Sequence, residues 1–284
     1  MIVLRAAEMG MCFGVRDALA LLDRVSEPSE VTIHGELVHN PLVLRQLARR
    51  GFRSEPEVGR ALPDTPAVLV TAHGVSDRER ARIAAAGKRL IDTTCPLVRK
   101  AHDAARELAA EGRRLVVLGK PGHVEVEGLV GDHPGAVVVE SAADVRGFGA
   151  SRLGVMCQTT LPEQRAADLL ARVVAANPAA DVRFVDTICA PTKARQRALA
   201  ELLDRVELLV VVGGRNSNNT RKLAATAAAR GVPAMHVEGA DDLDFEVLRG
   251  HAVVGLTAGT STLPATVDAV EAAIRAFAAA EKVS

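Results

Sequence analysis

Three of the chain's four cysteines stand at the same kind of place. Cys95 follows the apolar run Arg89-Leu90-Ile91-Asp92 and is followed at once by Pro96. Proline suits the first turn of a helix, because its missing N–H would have had no partner there. Cys189 closes Val185-Asp186-Thr187-Ile188-Cys189 and leads into a helix-like run from Thr192 to Leu203. Cys12 follows the apolar Ile2-Val3-Leu4 and the turn Glu8-Met9-Gly10-Met11, and precedes a helical run from Val15 to Leu22. A thiol at a strand-to-helix junction feels the partial positive charge of the helix N-terminus, which favours the thiolate. One such thiol in each third of the chain points to a single site assembled from three similar pieces. The wide separations exclude the closely paired cysteines of ferredoxin and zinc-finger spacings. Cys157 lacks the same following turn and reads as a core thiol.

The other polar groups of interest share that position. His39, His73, His123, Thr159, Ser217 and Ser261 each fall just beyond the C-terminal end of an apolar run, the edge where open α/β sheets bind ligands. Each alone has a plain structural reading, such as a loop histidine bonding the backbone. Asn216-Ser217-Asn218-Asn219, after Gly213-Gly214, reads either as a polar turn or as an anion-binding nest opening a helix. Glu125 lies two residues from His123 in a glycine-bounded stretch read as a tight loop, Gly122 to Gly128. Asp92 and Asp186 precede their cysteines and are expected to brace the turns. His34, His102, His133, His236 and His251 have no such context and are expected to be surface or structural groups.

The elements that position these groups alternate. Short Val/Leu/Ile runs are separated by Ala/Leu/Arg/Glu segments with helical spacing, which predicts βα units and mainly parallel sheets. A chain of 284 residues suggests two or three domains. Lysine plus arginine and aspartate plus glutamate each number 35, so no global field attracts polyanions, and an anionic ligand needs local donors. With no Trp or Tyr and six Phe, the platform for stacking bases is missing, and nucleic acid is not an expected partner. No apolar run is long enough to suggest a membrane span, and the N-terminus lacks the layout of a signal peptide. Four cysteines without export signals indicate a reducing cytoplasm with reactive or metal-bound thiols.

Read together, the motifs resemble the 4-hydroxy-3-methylbut-2-enyl diphosphate reductase family, the last enzymes of the non-mevalonate isoprenoid pathway. The resemblance spans almost the whole chain. It is carried by Cys-Phe-Gly-Val at 12–15, Val-His-Asn-Pro at 38–41, Ala-His-Gly-Val at 72–75 and Asp-Thr-Thr-Cys-Pro at 92–96. Gly-His-Val-Glu-Val-Glu-Gly at 122–128, Gln-Thr-Thr-Leu at 158–161, Asp-Thr-Ile-Cys at 186–189 and Thr-Ala-Gly-Thr-Ser at 257–261 complete it, with the Asn-Ser-Asn-Asn run between the last two. Asn218, Val124, Cys157 and Thr262-Leu263-Pro264 depart from the expected pattern, which bears on diphosphate geometry and product ratio.

The resemblance implies an α/β fold of three similar small domains with mainly parallel sheets, in a pseudo-threefold trefoil around a central iron–sulfur cluster. The domains would be 13–95, 96–187 and 188–284, the last completed by the N-terminal strand within 1–12. Cys12, Cys95 and Cys189 would ligate one 4Fe-4S cluster with one iron left open as a Lewis acid for an allylic hydroxyl. His39, His73, His123, Thr159, Ser217, Asn218, Asn219 and Ser261 would bind the diphosphate substrate or organise its hydrogen bonds, and Glu125 would supply a proton. Electrons would come from a donor such as ferredoxin or flavodoxin. The alternatives are a relative acting on another allylic diphosphate, a non-catalytic diphosphate-binding protein, and a zinc or thiol enzyme using the same cysteines.

Overall fold

The computed structural model describes residues 1–38, 40–56 and 61–281. In chain order it begins with β1 (Ile2–Arg5) and α1 (Phe13–Leu22). Then follow β2 (Val31–His34), α2 (Pro41–Arg49), β3 (Arg53–Ser54), β4 (Ala67–Val70), α3 (Asp77–Ala85) and β5 (Arg89–Asp92). The middle third holds α4 (Pro96–Ala110), β6 (Arg114–Leu118), α5 (Val124–Val130), β7 (Val137–Val139), β8 (Arg152–Cys157), α6 (Glu163–Ala176) and β9 (Asp181–Val185). The last third holds α7 (Ala190–Leu203), β10 (Leu208–Val212), α8 (Asn218–Ala229), β11 (Ala234–Val237), α9 (Phe245–Arg249), β12 (Val253–Ala258) and α10 (Pro264–Ala280).

The strands form three four-stranded sheets, ordered β3-β2-β4-β5, β7-β6-β8-β9 and β11-β10-β12-β1. Every recorded pairing is parallel, as the alternation of runs predicts. The sheets share one plan: the first strand is internal, its successor takes one edge, and the third and fourth strands build outward on the other side. In the third sheet the fourth place is taken by β1, where Ile2 pairs with Val253 and Arg5 with Leu256. The fourth strand of every sheet is the one that runs into a thiol.

Parallel sheets need cover on both faces. The central strands are accordingly apolar throughout: Leu115 to Leu118 on β6, Ala67 to Val70 on β4 and Leu208 to Val212 on β10 are all buried. On each face a layer of helix side chains closes a core; Ala101, Ala105 and Leu108 of α4 meet Leu115, Val117 and Met156. Full burial of a Val or Leu side chain contributes about 1.5–3 kcal/mol, so these strand centres supply most of the driving force for folding. With both faces committed to helices, polar chemistry is left to the strand ends.

By contact the chain divides into two compact units. One comprises Met1–Arg16, Val38–Gln46 and Ala194–Ser284 and contains the third sheet. The other comprises Asp17–Leu37 and Leu47–Lys193 and contains the first two sheets. Within this second unit, α5 approaches the turn after β4 closely: a Cβ on Gly128 would lie 3.4 Å from Val75 Cα. Asp132, just past α5, accepts the Asp77 and Arg78 N–H groups at 2.6 and 2.9 Å and so caps α3 together with Ser76. Gly154 lets α4 sit on β8, since a Cβ there would meet Leu108 Cβ at 2.9 Å. Gly154→Ala is expected to lower stability by about 1–3 kcal/mol through overpacking, measured by urea unfolding.

Candidate functional site

In the second unit the thiols of Cys95 and Cys189 stand half-buried directly before α4 and α7. The Cys95 carbonyl accepts Arg99 N–H at 3.0 Å, and that of Cys189 accepts Lys193 N–H at 3.1 Å, so both cysteines occupy the helix N-cap. The Cys189 sulfur and the Thr192 hydroxyl lie 3.0 Å apart, a hydrogen bond that steadies a thiolate when the hydroxyl donates. Helix α7 begins two residues earlier than the sequence suggests, because Pro191 is tolerated in its first turn. Asp92 and Asp186 brace the turns as expected, accepting the N–H of Thr94 at 2.9 Å and of Ile188 at 3.0 Å. Burial works against the Asp92 charge, but Thr94 and Arg80 outweigh it and hold its carboxyl below the ordinary value.

Each thiol loop is tied to the loop at the end of the neighbouring strand. The Cys95 N–H donates to Ala72 O at 3.0 Å, beside His73, and the Cys189 N–H donates to Thr159 O at 3.0 Å. His73 sits in a turn closed by the Gly74 N–H on Thr71 O at 3.0 Å, with Gly74 at φ 74°. Its ring meets that of His123 edge-on, with centroids 5.6 Å apart.

The stretch read as a tight loop around Glu125 is instead a short helix, α5, with His123 as its N-cap. His123 Nδ1 accepts the Glu125 N–H at 3.2 Å, so the neutral ring carries its proton on Nε2. Glu125 is 1% exposed. Its carboxylate accepts the Thr159 N–H at 2.6 Å and the Thr159 hydroxyl at 2.9 Å. A continuous path of contacts therefore joins the two thiol loops: Cys95, Ala72-His73, His123, Glu125, Thr159, Cys189. Glu127, by contrast, caps the backbone, accepting the Gly122 N–H at 3.0 Å.

In the first unit Cys12 is half-buried at the start of α1, which begins at Phe13, and its carbonyl accepts the Arg16 N–H at 3.1 Å. Gly10, two residues earlier and at φ 69°, donates to Ala258 O at 3.0 Å, a strand-end tie made ahead of the thiol where Cys95 and Cys189 make it with their own N–H. Ser217 caps α8, its hydroxyl accepting the Thr220 N–H at 3.3 Å. Asn218 opens that helix, and its side chain lies outside what is described. The Asn219 Nδ2 is buried with no hydrogen-bond partner among the described residues. An unpaired buried donor in the first turn of a helix is what an absent anion would satisfy. Ser261 is buried after β12. His39 lies outside the described residues.

Several supporting groups go beyond the sequence reading. Asn40 caps α2, its Oδ1 accepting the Leu42 N–H at 2.9 Å, and also donates from Nδ2 to Ser261 O at 2.7 Å. Gln158 accepts the Lys120 N–H at 3.1 Å and holds the loop before α5. Thr220 fills the gap between Gly213 and Gly259, where a Cβ would meet its Oγ1 at 2.7 and 2.2 Å. His102 is buried under the His73 turn, with Nε2 3.4 Å from the position of a Cβ on Gly74. Burial, with a smaller contribution from Arg80, pushes its pKa down. His34 is buried and bonds Glu79 at 2.8 Å, a structural role as expected. Cys157 is fully buried in the β8 core, as read.

A half-buried thiol at a helix N-terminus, as at Cys12, Cys95 and Cys189, is the donor type that iron–sulfur clusters take. Among the described residues, no group of three or more His, Cys, Asp or Glu side chains is gathered to hold a metal ion.

A family model described as LytB protein matches residues 3–275. The chain belongs to the LytB family. Similar LytB relatives include 4-hydroxy-3-methylbut-2-enyl diphosphate reductase 2 of Mycobacterium bovis, 35% identical over 97% of this chain and 87% of that one. The corresponding reductase of Solidesulfovibrio magneticus is also 35% identical, over 97% and 99% of the two chains. Among solved structures, the E-1-hydroxy-2-methyl-but-2-enyl-4-diphosphate reductase of Plasmodium falciparum superposes with a TM-score of 0.83 at 27% identity, covering 94% of this chain and 86% of that one. The LytB fold thus accounts for all three sheets, and these relatives are oxidoreductases by name. Among the described residues, no helix is long and apolar enough to cross a membrane.

Two expected outcomes follow from burial. Burial pushes the Cys157 thiol up to about 12, from 9.0, so at pH 8 this cysteine should resist iodoacetamide in the native protein and react after unfolding, as read by mass spectrometry. His102 titrates in the opposite sense. Its lowered folded-state pKa contributes stability that is present above pH 6.5 and lost as the pH falls below it. His102→Asn should therefore show a smaller fall in thermal midpoint on acidification from pH 7 to about pH 5 than the wild type.

Proposed function

We propose that this chain reduces (E)-4-hydroxy-3-methylbut-2-enyl diphosphate, taking up two electrons and two protons and releasing water with isopentenyl and dimethylallyl diphosphate. The reading is supported by the names of the relatives and, above all, by the contact path joining two thiol loops through His73, His123, Glu125 and Thr159. Cys12, Cys95 and Cys189 would hold a 4Fe-4S cluster. When bound, that cluster would supply the electrons and, at an iron without a cysteine, Lewis acidity toward the departing hydroxyl. A ferredoxin- or flavodoxin-type protein would deliver the electrons, and the thiols call for a reducing compartment such as the cytoplasm.

The chain's own residues bind the diphosphate and handle protons. Ser217, Asn219 and the first turn of α8 offer hydroxyl, amide and backbone donors to phosphate oxygens, with His39, Asn218 and Ser261 completing the set. His73 and His123 offer imidazole groups; Nδ1 of His123 accepts the Glu125 N–H, which places the neutral ring's proton on Nε2. In its protonated state Glu125 can give its proton to the substrate through the Thr159 hydroxyl, which is within 2.9 Å. Burial favours that protonated state, and the two hydrogen bonds from Thr159 oppose it. Excluding water here keeps the proton on a defined route.

Anaerobic purification, iron and sulfide quantification and a substrate-dependent reduction assay test the reading; a colourless protein with zinc and no sulfide would sink it. Glu125→Gln keeps the shape of the side chain but removes the proton. Its cluster content and substrate affinity should match the wild type, while turnover falls by about 10²–10⁴-fold. Near-wild-type turnover by that variant would assign the proton to another group. Cys12→Ser, Cys95→Ser and Cys189→Ser should each lose the cluster, and Cys157→Ser should retain it.

A further inference from the structure

Asp92 and Asp186 stand three residues before Cys95 and Cys189, and Arg99 and Lys193 stand four residues after them. Both carboxylates are used alike. One oxygen of Asp92 accepts the Thr94 N–H at 2.9 Å while the other accepts from the Arg99 guanidinium at 2.8 Å. One oxygen of Asp186 accepts the Ile188 N–H at 3.0 Å while the other accepts from the Lys193 ammonium. The N–H belongs to the residue just before the thiol. The cation sits one turn into the helix that the thiol begins. Each carboxylate therefore closes a ring of chain around its cysteine. At Cys12 the plan is broken: Arg16 stands four residues on, but Met9 stands where the aspartate would be. That loop turns on Gly10 and is held by Arg195, which donates to Gly10 O at 3.1 Å.

We propose that Arg99 and Lys193 are positioning residues for the cluster, acting through Asp92 and Asp186. They clasp the Cys95 and Cys189 loops in ligating shape before the cluster arrives, and the Cys12 loop, held by Arg195 on a carbonyl and lacking the carboxylate clasp, is the ligand loop that yields first. The proposal rests on the cluster reading given above. A lone exposed ion pair contributes little. Here, however, the carboxylate also satisfies a backbone N–H, so losing the cation frees the loop as well as the charge.

The two clasps differ in reserve. Asp92 also receives Arg80 at 2.6 Å, so it keeps a cation when Arg99 is removed. Among the described residues Asp186 pairs with Lys193 alone, which makes Lys193 the more sensitive position.

The test uses full-length protein loaded with its cluster anaerobically and challenged with an iron chelator, with cluster absorbance and released iron followed in time. Lys193→Ala is expected to release iron about tenfold faster than the wild type, the scale of one charge-assisted hydrogen bond. Arg99→Ala should fall between the two, and Arg99→Lys should behave as wild type. Arg106→Ala, on the same helix but paired with Asp77 and Asp103, should be unchanged. Lys193→Gln provides a second removal of charge should the alanine variant fold poorly. Adding Lys193→Ala to Asp186→Asn should change little further, because the cation acts through the acid. In cluster-free protein, amide exchange by mass spectrometry should be slower at 93–99 and 187–193 than at 9–16, and Lys193→Ala should speed only 187–193. A wild type that takes up no cluster would overturn the cluster reading. Normal loading, with release and exchange unchanged in Lys193→Ala and Lys193→Gln, would overturn the clasp alone.

Discussion

Each thiol loop continues the hydrogen-bond ladder of its sheet by one backbone bond past the last paired residue. Cys95 N–H reaches Ala72 O, Cys189 N–H reaches Thr159 O and Gly10 N–H reaches Ala258 O. These bonds convert the register of a parallel sheet into the position of a sulfur atom. They also bring to each thiol a loop that carries one of the proposed binding groups: His73 beside Cys95, Thr159 beside Cys189, and the Ser261 loop beside the turn of Cys12. Three sheets built to one plan thus produce three versions of the same juxtaposition. Because both faces of every sheet are committed to helices, no other location offers comparable precision for polar groups.

Glu125 shows what this precision is used for. A fully buried carboxylate is costly unless its lone pairs are satisfied. Thr159 supplies two donors from one residue, and that residue also anchors Cys189. The acid is thereby locked to the thiol loop, and neither can move far without disturbing the other. His123 fixes the opposite side, since its ring is oriented by the amide of the same glutamate. Removing water from such an arrangement makes the few remaining polar contacts stronger and more selective.

The sheets and the thiols were legible because each depends on local signals. A run such as Val68-Leu69-Val70 states a buried parallel strand by composition, and the strand-end rule then marks His73, Thr159 and the cysteines. Glu125 was singled out but placed on the wrong element. Gly122 and Gly128 suggest a loop, and the β-branched Val124 and Val126 mask a helix whose start is set by the His123 cap. Groups whose role rests on distant partners were not readable. Asn40 meets Ser261 across most of the chain, and His102 sits under Gly74 only because α4 packs there. The clasp on Cys95 was half visible, as an aspartate bracing a turn, but its cation lies a helical turn away.

The placement of β1 beside β12 has a consequence in time. A ribosome releases the chain from its N-terminus, and the first two sheets draw their strands from residues 31–92 and 114–185, so each can close as it emerges. The third sheet joins Ile2 to Val253, a pairing that cannot form until about 250 further residues are out. The Cys12 turn, anchored to Ala258, waits with it. Long-range parallel pairing of this kind is slow because a large loop has to close first. Cys12 is thus synthesised before Cys95 and Cys189 but takes its place after them, once β12 has been made.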